Sequence, residues 1–172
     1  MKAYLKNTLY LILYIVAVLP GTAQNADKFD SIDGVLDALL AQISIEKGEK
    51  MDTATIRNLF HPNASFIVGD SSGSETATLD EFLVFLTDSY YEQGYLEREI
   101  NRIVHEYNGI AQVFATFYGK HPEDGEERGI NSYQLIYNQD RWWIANLLWT
   151  IESDKAPIPK KYGGKMKLPG KR

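Results

Sequence analysis

The chain has 172 residues, enough for one domain with extensions, and no cysteine, which excludes disulfides, thiolate catalysis, cysteine-held metals and a cysteine-linked lipid. Its net charge is −5, but the signs are segregated: residues 24–154 hold all 23 acidic side chains against nine basic ones, whereas the stretch from Lys155 holds seven basic residues and no acidic one. So acidic a body repels phosphates, which excludes nucleic acid as its partner.

The first 23 residues have the pattern of a secretory signal peptide. Lys2 and Lys6 precede an apolar run from Leu9 to Leu19, and Gly21-Thr22-Ala23 offers a small-residue cleavage site. The run is 11 residues, short of the ~20 that span a bilayer. The expectation is a leader at 1–23 cut near Ala23, a secreted or periplasmic product, and no stable membrane insertion after cleavage; an uncleaved anchor is the alternative. The domain is then expected at 24–154, and 155–172 as a basic Pro/Gly/Lys tail, most simply a solvated end.

Within the body, Ile32, Val35, Leu36, Leu39, Leu40 and Ile43 fall on one helical face, with Asp30 or Ser31 as cap. A shorter helix is expected from Asp52 or Thr53 to Phe60, stopped by Pro62. Residues 64–68, ASFIV, form a short strand pattern, and GDSSGSETAT that follows is expected to be a polar loop. Thr78 and Glu81 form a capping box before a helix carrying Leu79, Phe82, Leu83 and Leu86. Residues 95–107 fit either a helix or a strand; the Asn108-Gly109 pair behind them favours a strand entering a two-residue hairpin. IAQVFATFYGK, GINSYQLIY and WWIANLLWTI complete a series of long strands with short connections. Helices first and sequential strands after predict an α+β fold with an antiparallel sheet covered on one face.

Several of these stretches resemble the nuclear transport factor 2-like (NTF2-like) superfamily in its SnoaL-like branch. LFHPNASFIV resembles that superfamily's helix-to-strand corner, with Asn63 where an Asp often stands. YLEREINRIV, AQVFATFYGK, RGINSYQLIYNQDRWWIANLLW and APIPKKY resemble segments of an uncharacterised bacterial subgroup. The likeness covers roughly residues 30–162. It implies a cone in which three N-terminal helices pack on a curved, mainly antiparallel sheet of cystatin-like α+β type, and it resolves 95–107 as a strand. Superfamily members include isomerases, cyclases, dehydratases and plain binders, so activity has to be argued from a site.

Three histidines are present, and none has metal-ligand spacing with another, so no metal and no cofactor is expected. His61 is a weak catalytic candidate beside Pro62, His105 lies in a strand beside Glu106, and His121 in a charged loop. A cone acting on carbon acids needs a base in a dry pocket and a donor facing it. Base candidates are Glu97, Glu99 and His105; Glu99 leads because it shares strand parity with Ile103 and Tyr107. Arg98 or Arg102 beside it would make an ion pair the plainer role. Donor candidates are Tyr118, Arg128, Tyr133 and Gln134. Alternation sets Arg128, Ile130, Ser132 and Gln134 on one side and Gly129, Asn131, Tyr133 and Leu135 on the other, neither cleanly apolar. The ligand set, Glu99, Arg128, Asn131, Gln134 and Asn146, is taken from both sides as polar groups expected inside the cone, with a structural hydrogen-bond network as the plainer role for them.

In the last strand Trp142, Ile144, Asn146 and Leu148 alternate with Trp143, Ala145, Leu147 and Trp149, so both faces are apolar and a homodimer through the sheet face is expected. The function expected is a secreted domain binding a small hydrophobic ligand. The alternatives are an acid/base isomerase, cyclase or hydrolase acting on a hydrophobic carbonyl compound, and a protein-interaction module using the sheet face.

Overall fold

The computed structural model describes residues 28–91, 93–122 and 125–164. The leader expected at 1–23 and the end of the tail lie outside these residues. The elements in chain order are helices α1 (Ile32–Ile43) and α2 (Thr53–Arg57), strands β1 (Phe60–Asp70) and β2 (Gly73–Thr78), helix α3 (Leu79–Tyr91), strands β3 (Leu96–Tyr107), β4 (Ile110–His121), β5 (Gly125–Asn138) and β6 (Arg141–Ile151), and a 3₁₀ turn at Lys160–Tyr162. The six strands form one sheet in the order β2-β1-β6-β5-β4-β3. Only β1 and β6 pair in parallel; the other neighbours are antiparallel. This is an α+β fold with a curved, mainly antiparallel sheet, and residues 95–107 enter it as a strand.

Local chemistry accounts for the boundaries. Ser31 caps α1 by accepting from the Gly34 amide at 3.1 Å. The Thr78–Glu81 box forms as its spacing predicts: the Thr78 amide donates to Glu81 Oε2 at 2.8 Å and the Glu81 amide to Thr78 Oγ1 at 3.3 Å. Asn108 and Gly109 take φ of 47° and 81°, the turn between β3 and β4. Gln139 and Asp140 adopt positive φ in the same way between β5 and β6 without a glycine.

Two expectations about the N-terminal half are corrected. The helix expected to reach Phe60 ends at Arg57, because Phe60 already pairs with Ile144 of β6. The stretch expected as a polar loop contains β2, which pairs with β1 from Ser65–Thr78 to Asp70–Gly73. Asp70 makes that hairpin by accepting from the Ser72 amide at 2.7 Å. Five of the six β2 residues are exposed, as befits an edge strand, so no apolar alternation marks it.

Two interruptions in register matter more. In β3, Glu99 pairs with Phe117 and Asn101 with Thr116, so Ile100 is a bulge. In β6, Asn146 pairs with Gln134 and Ile144 with Leu135, so Ala145 is a second one. An extra residue in one strand sends every side chain beyond it to the other face. Glu99 therefore does not share a face with Ile103 as strict alternation predicts. It shares the inner face with Arg102, which pairs with buried Ala115. In β6, Trp142 and Ile144 are inside, while Asn146 and Leu148 are outside.

The helices cover the inner face. Phe82 of α3 and Phe60 and Phe66 of β1 form an aromatic cluster, Phe66 and Phe82 stacked at 4.2 Å between centroids. Val35, Leu36 and Leu39 of α1 are buried with Ile56, Val113, Ile144 and Leu147 in the same core. Fully burying each such side chain stabilises by about 1.5–3 kcal/mol. The chain after Asp154, expected as a solvated tail, instead returns to the outer sheet face as far as Gly164. Ile158 is buried and its amide donates to Glu152 at 2.7 Å; the Tyr162 ring packs on Phe114, and Thr116 donates to the Tyr162 carbonyl. The packed unit thus extends past the boundary expected at 154, because Phe114 and Thr116 offer a surface for the segment to cover.

Candidate functional site

Between α1, α3 and the inner face of the sheet lies a cavity of about 190 Å3. Leu39, Ile43, Phe82, Leu86, Leu147 and Trp149 supply its apolar walls. Its polar groups converge at one end: Tyr95, Glu97, Glu127, Asn131 and Tyr133. A few placed polar groups in a mostly apolar hollow is the usual pattern of a small-molecule site. A wider groove of about 540 Å3, bordered by Ser44, Lys47, Gly94, Lys120 and Pro122, lies beside the α1–β3 junction; it shares Tyr95 with the cavity but not Glu97, Glu127, Asn131 or Tyr133.

The geometry follows from strand register. Glu97, Gly119 and Glu127 stand in one row across β3, β4 and β5. Gly119 is the open place in that row. A Cβ there would lie 2.5 Å from the Tyr95 hydroxyl and 2.9 Å from Glu127 Oε1. The hydroxyl fills the gap and touches both carboxyl groups, Glu97 Oε2 at 2.9 Å and Glu127 Oε1 at 3.3 Å. Asn131 Nδ2 donates to Glu97 Oε1 at 3.0 Å. Outside this row, His121 Nε2 meets Glu127 Oε1 at 3.6 Å, and its ring packs on Tyr95 with centroids 4.7 Å apart. The main chain of Glu97 is pinned by Ser44, whose hydroxyl donates to its carbonyl and accepts from its amide.

Electrostatics single out Glu97. Burial pushes its carboxyl up to about 7, against the opposing pull of the Tyr95 and Asn131 hydrogen bonds, and Glu127 and Glu99 add to the rise. The Tyr133 phenol is raised well above its ordinary value by burial and then by the charge of Glu97, so it stays a neutral donor. Together they provide a carboxyl that changes charge near neutrality, an amide donor and two phenols around an apolar hollow.

The residues expected from sequence divide between the two faces. Asn131 lies in the cavity end and Glu99 on the same face of β3. Glu99 is committed elsewhere: both its oxygens accept from Arg102 Nε, at 2.8 and 3.0 Å, and Arg102 reaches on to Asp33 and Asp37 of α1. It is therefore a poor base even though burial holds it above the usual carboxylate range. Arg128, Gln134 and Asn146 are corrected. All three lie on the outer face, Arg128 paired with Glu152 and the Gly163 carbonyl, Gln134 exposed, and Asn146 bonded to Ser65. His61 accepts from the Asn63 amide within the first residues of β1 and does not line the cavity. His105 pairs with Gln112 on the outer face.

Sequence reasoning missed Tyr95 and Glu127 and ranked Glu97 below Glu99. The available signal was that Glu97 and Glu99 share a face, while only Glu99 has an arginine three residues away; the bulge at Ile100 is what brings that arginine round. Among the described residues no group of three or more acidic or histidine side chains is arranged to hold a metal. No helix among them is long and apolar enough to cross a membrane.

No protein-family profile matches the chain, and no curated protein matches it. Solved structures do. An NTF2-like superfamily protein from Salmonella enterica serovar Typhimurium aligns with a TM-score of 0.56 at 16% identity, over 78% of this chain and 95% of that one. A Caulobacter vibrioides protein with a cystatin-like fold gives 0.58 at 12%, over 74% and 91%. A Shewanella frigidimarina protein provisionally called a ketosteroid isomerase gives 0.52 at 16%, over 70% and 95%. At such identities the likeness is one of fold.

Proposed function

We propose that this chain, which has the NTF2-like fold, is a small-molecule-binding domain whose ligand occupies the cavity and is held at the Glu97–Asn131 end. The observation that carries the reading is the 190 Å3 hollow with its polar groups gathered at one end. Its size bounds the ligand. An apolar cavity of about 150 Å3 engineered into another protein takes up benzene, so this one matches a single ring with one polar substituent. Polycyclic ligands exceed it. The test is a ligand-observed NMR or thermal-shift screen with single-ring alcohols, ketones, amines and acids, repeated in Leu147→Trp, which fills the hollow. Binding to the parent and not to the filled protein is expected; equal binding to both, or none to the parent, refutes the reading.

A second reading, acid/base catalysis on a single-ring carbonyl compound, is favoured by Glu97 titrating at about 7 beside the Asn131 donor. Glu97 would move the proton, while Asn131 and the Tyr133 phenol would stabilise charge on the carbonyl oxygen. Its test is deuterium uptake at the α-carbon of cyclohexanone, expected with the parent protein and absent in Glu97→Gln.

We further propose export directed by residues 1–23 and pairing of two copies through the outer sheet face. Charge pattern and length support the first. Ile110, Ile136 and Leu148, at 60%, 38% and 38% exposure on that face, support the second, paired copies being the commonest oligomers. N-terminal sequencing of the expressed protein and sedimentation of Leu148→Arg against the parent decide these points.

A further inference from the structure

We infer that the cavity is built for a hydrophobic amine: one ring, aromatic or alicyclic, bearing a primary ammonium group that binds on the cavity side of the Glu97–Tyr95–Glu127 row. This rests on the reading of the cavity as a ligand site and names the class of ligand.

The charge inventory carries the inference. Two carboxyl groups, Glu97 and Glu127, face the hollow, and among the described residues no lysine or arginine lines it. The arginine nearest in register, Arg102, is engaged by Glu99, Asp33 and Asp37. Of the other elements against this end, α1 and α3 bring Leu39, Ile43, Phe82 and Leu86, and β6 brings Leu147, Trp149 and Ile151, none of them charged. The basic side chain touching the carboxyl row is His121, and it approaches Glu127 from outside the hollow.

Hydrogen-bond arithmetic points the same way. On the cavity side two carboxylates and a phenol share one hydroxyl proton, since Tyr95 touches Glu97 and Glu127, while His121 stands 3.6 Å from Glu127 on the other side. Both links become hydrogen bonds only when a further proton arrives, either on Glu97 or carried in by a ligand. An ammonium group has three donors and no acceptor. A carboxylate pair has about eight acceptor sites, of which Asn131 and Tyr95 occupy only a few. Phe82, Phe117, Trp149, Tyr95 and Tyr133 surround the space with aromatic faces, which attract a cation as well as a ring. A ligand carboxylate would meet two like charges, and a neutral alcohol would leave the ionised row uncompensated.

The raised titration of Glu97 is consistent with a carboxyl lacking its counter-ion. Since the amine needs Glu97 ionised, its affinity falls with the ionised fraction, by about tenfold between pH 8 and pH 6.

The experiment uses the purified chain and three matched probes, benzylamine, benzyl alcohol and benzoate, by calorimetry at pH 6 and pH 8. Benzylamine is expected to bind at least tenfold tighter than benzyl alcohol at pH 8, to weaken about tenfold at pH 6 with proton release, and benzoate to bind worst. Glu97→Gln should abolish the preference for the amine over the alcohol; Glu127→Gln, at a partly exposed position, should reduce the preference without endangering the fold. The pH comparison is repeated in His121→Gln to remove the imidazole from the same interval, and the dependence is expected to persist. Benzyl alcohol binding as tightly as benzylamine, an amine preference that survives Glu97→Gln, or a pH dependence that disappears in His121→Gln overturns the inference while leaving the cavity reading standing. Failure of all three probes to bind overturns both.

Discussion

Replacing Glu97 by Gln should stabilise the ligand-free protein, and only above the pH at which an ordinary glutamate ionises. In the unfolded chain the carboxyl titrates near its usual value of 4.5; in the folded protein burial moves it to about 7. Below pH 4.5 both states hold the proton and the group contributes no pH dependence. Between 4.5 and 7 the unfolded chain releases its proton while the folded one keeps it, so stability falls as pH rises. Above 7 both states are ionised and the loss is complete. At about 1.36 kcal/mol per unit, an interval of 2.5 units amounts to about 3 kcal/mol. Glutamine keeps the shape and an acceptor for Tyr95, and Asn131 can turn its amide to meet the new NH2 group. Urea unfolding followed by tryptophan fluorescence, at half-unit steps from pH 4.5 to pH 8, measures the difference between variant and parent. Contributions from acidic side chains that do not interact with Glu97 cancel in that difference, and the coupling to Glu127 and Glu99 is counted within it. An advantage of Glu97→Gln that grows by about 3 kcal/mol across the interval is expected. A flat difference, or one growing toward acid, would refute the claim that Glu97 is an uncompensated buried carboxyl.

Two further outcomes follow from the same geometry. Gly119→Ala places a methyl group 2.5 Å from the Tyr95 hydroxyl, so the phenol must move away. Its bond to Glu97 is the largest effect holding that carboxyl down, so the Glu97 titration should rise above 7, read by carboxyl-carbon NMR; an unchanged titration removes Tyr95 from the row. Arg102→Met leaves Glu99 partly buried beside Asp33 and Asp37 with no cation. It should cost about 2 kcal/mol at pH 7, reduced because both aspartates are solvated, and less at pH 4, toward which Glu99, held up by burial, takes up its proton. Equal loss at both pH values would assign the arginine's contribution to the packing of its methylenes.

The candidate site was half legible. Asn131 and the glutamate pair at 97 and 99 were visible as polar groups in apolar strands, and Tyr133 as a donor among them. Their sorting was not. Arg128 and Gln134 were chosen with Asn131 although alternation sets them on the opposite side of their strand, and the regular register of β5 keeps them there; Asn146 alone is turned by a bulge. Glu127 sat in a charged stretch, EDGEER, where one carboxylate resembles the next. Nothing local says that it will stand two strands away from Glu97 with a glycine between them.

What the sequence determined by itself is whatever depends on neighbours along the chain. The capping box at Thr78, the Ser31 cap, the Asn108-Gly109 turn and the apolar face of α1 all formed where spacing placed them, because each is satisfied within a few residues. Their order was enough for an α+β fold with a mainly antiparallel sheet. The tertiary structure decided which side of that sheet each polar residue faces. Ile100 and Ala145 carry no local mark of a bulge; they became bulges because the sheet must curve around α1 and α3 and still bury Arg102 against Ala115 and Ile144 against the core. Each insertion reverses the alternation beyond it. That is why Glu97 and Glu127 meet across Gly119 inside the cone, and why Asn146, expected in one ligand set with Glu99 and Asn131, faces the other way.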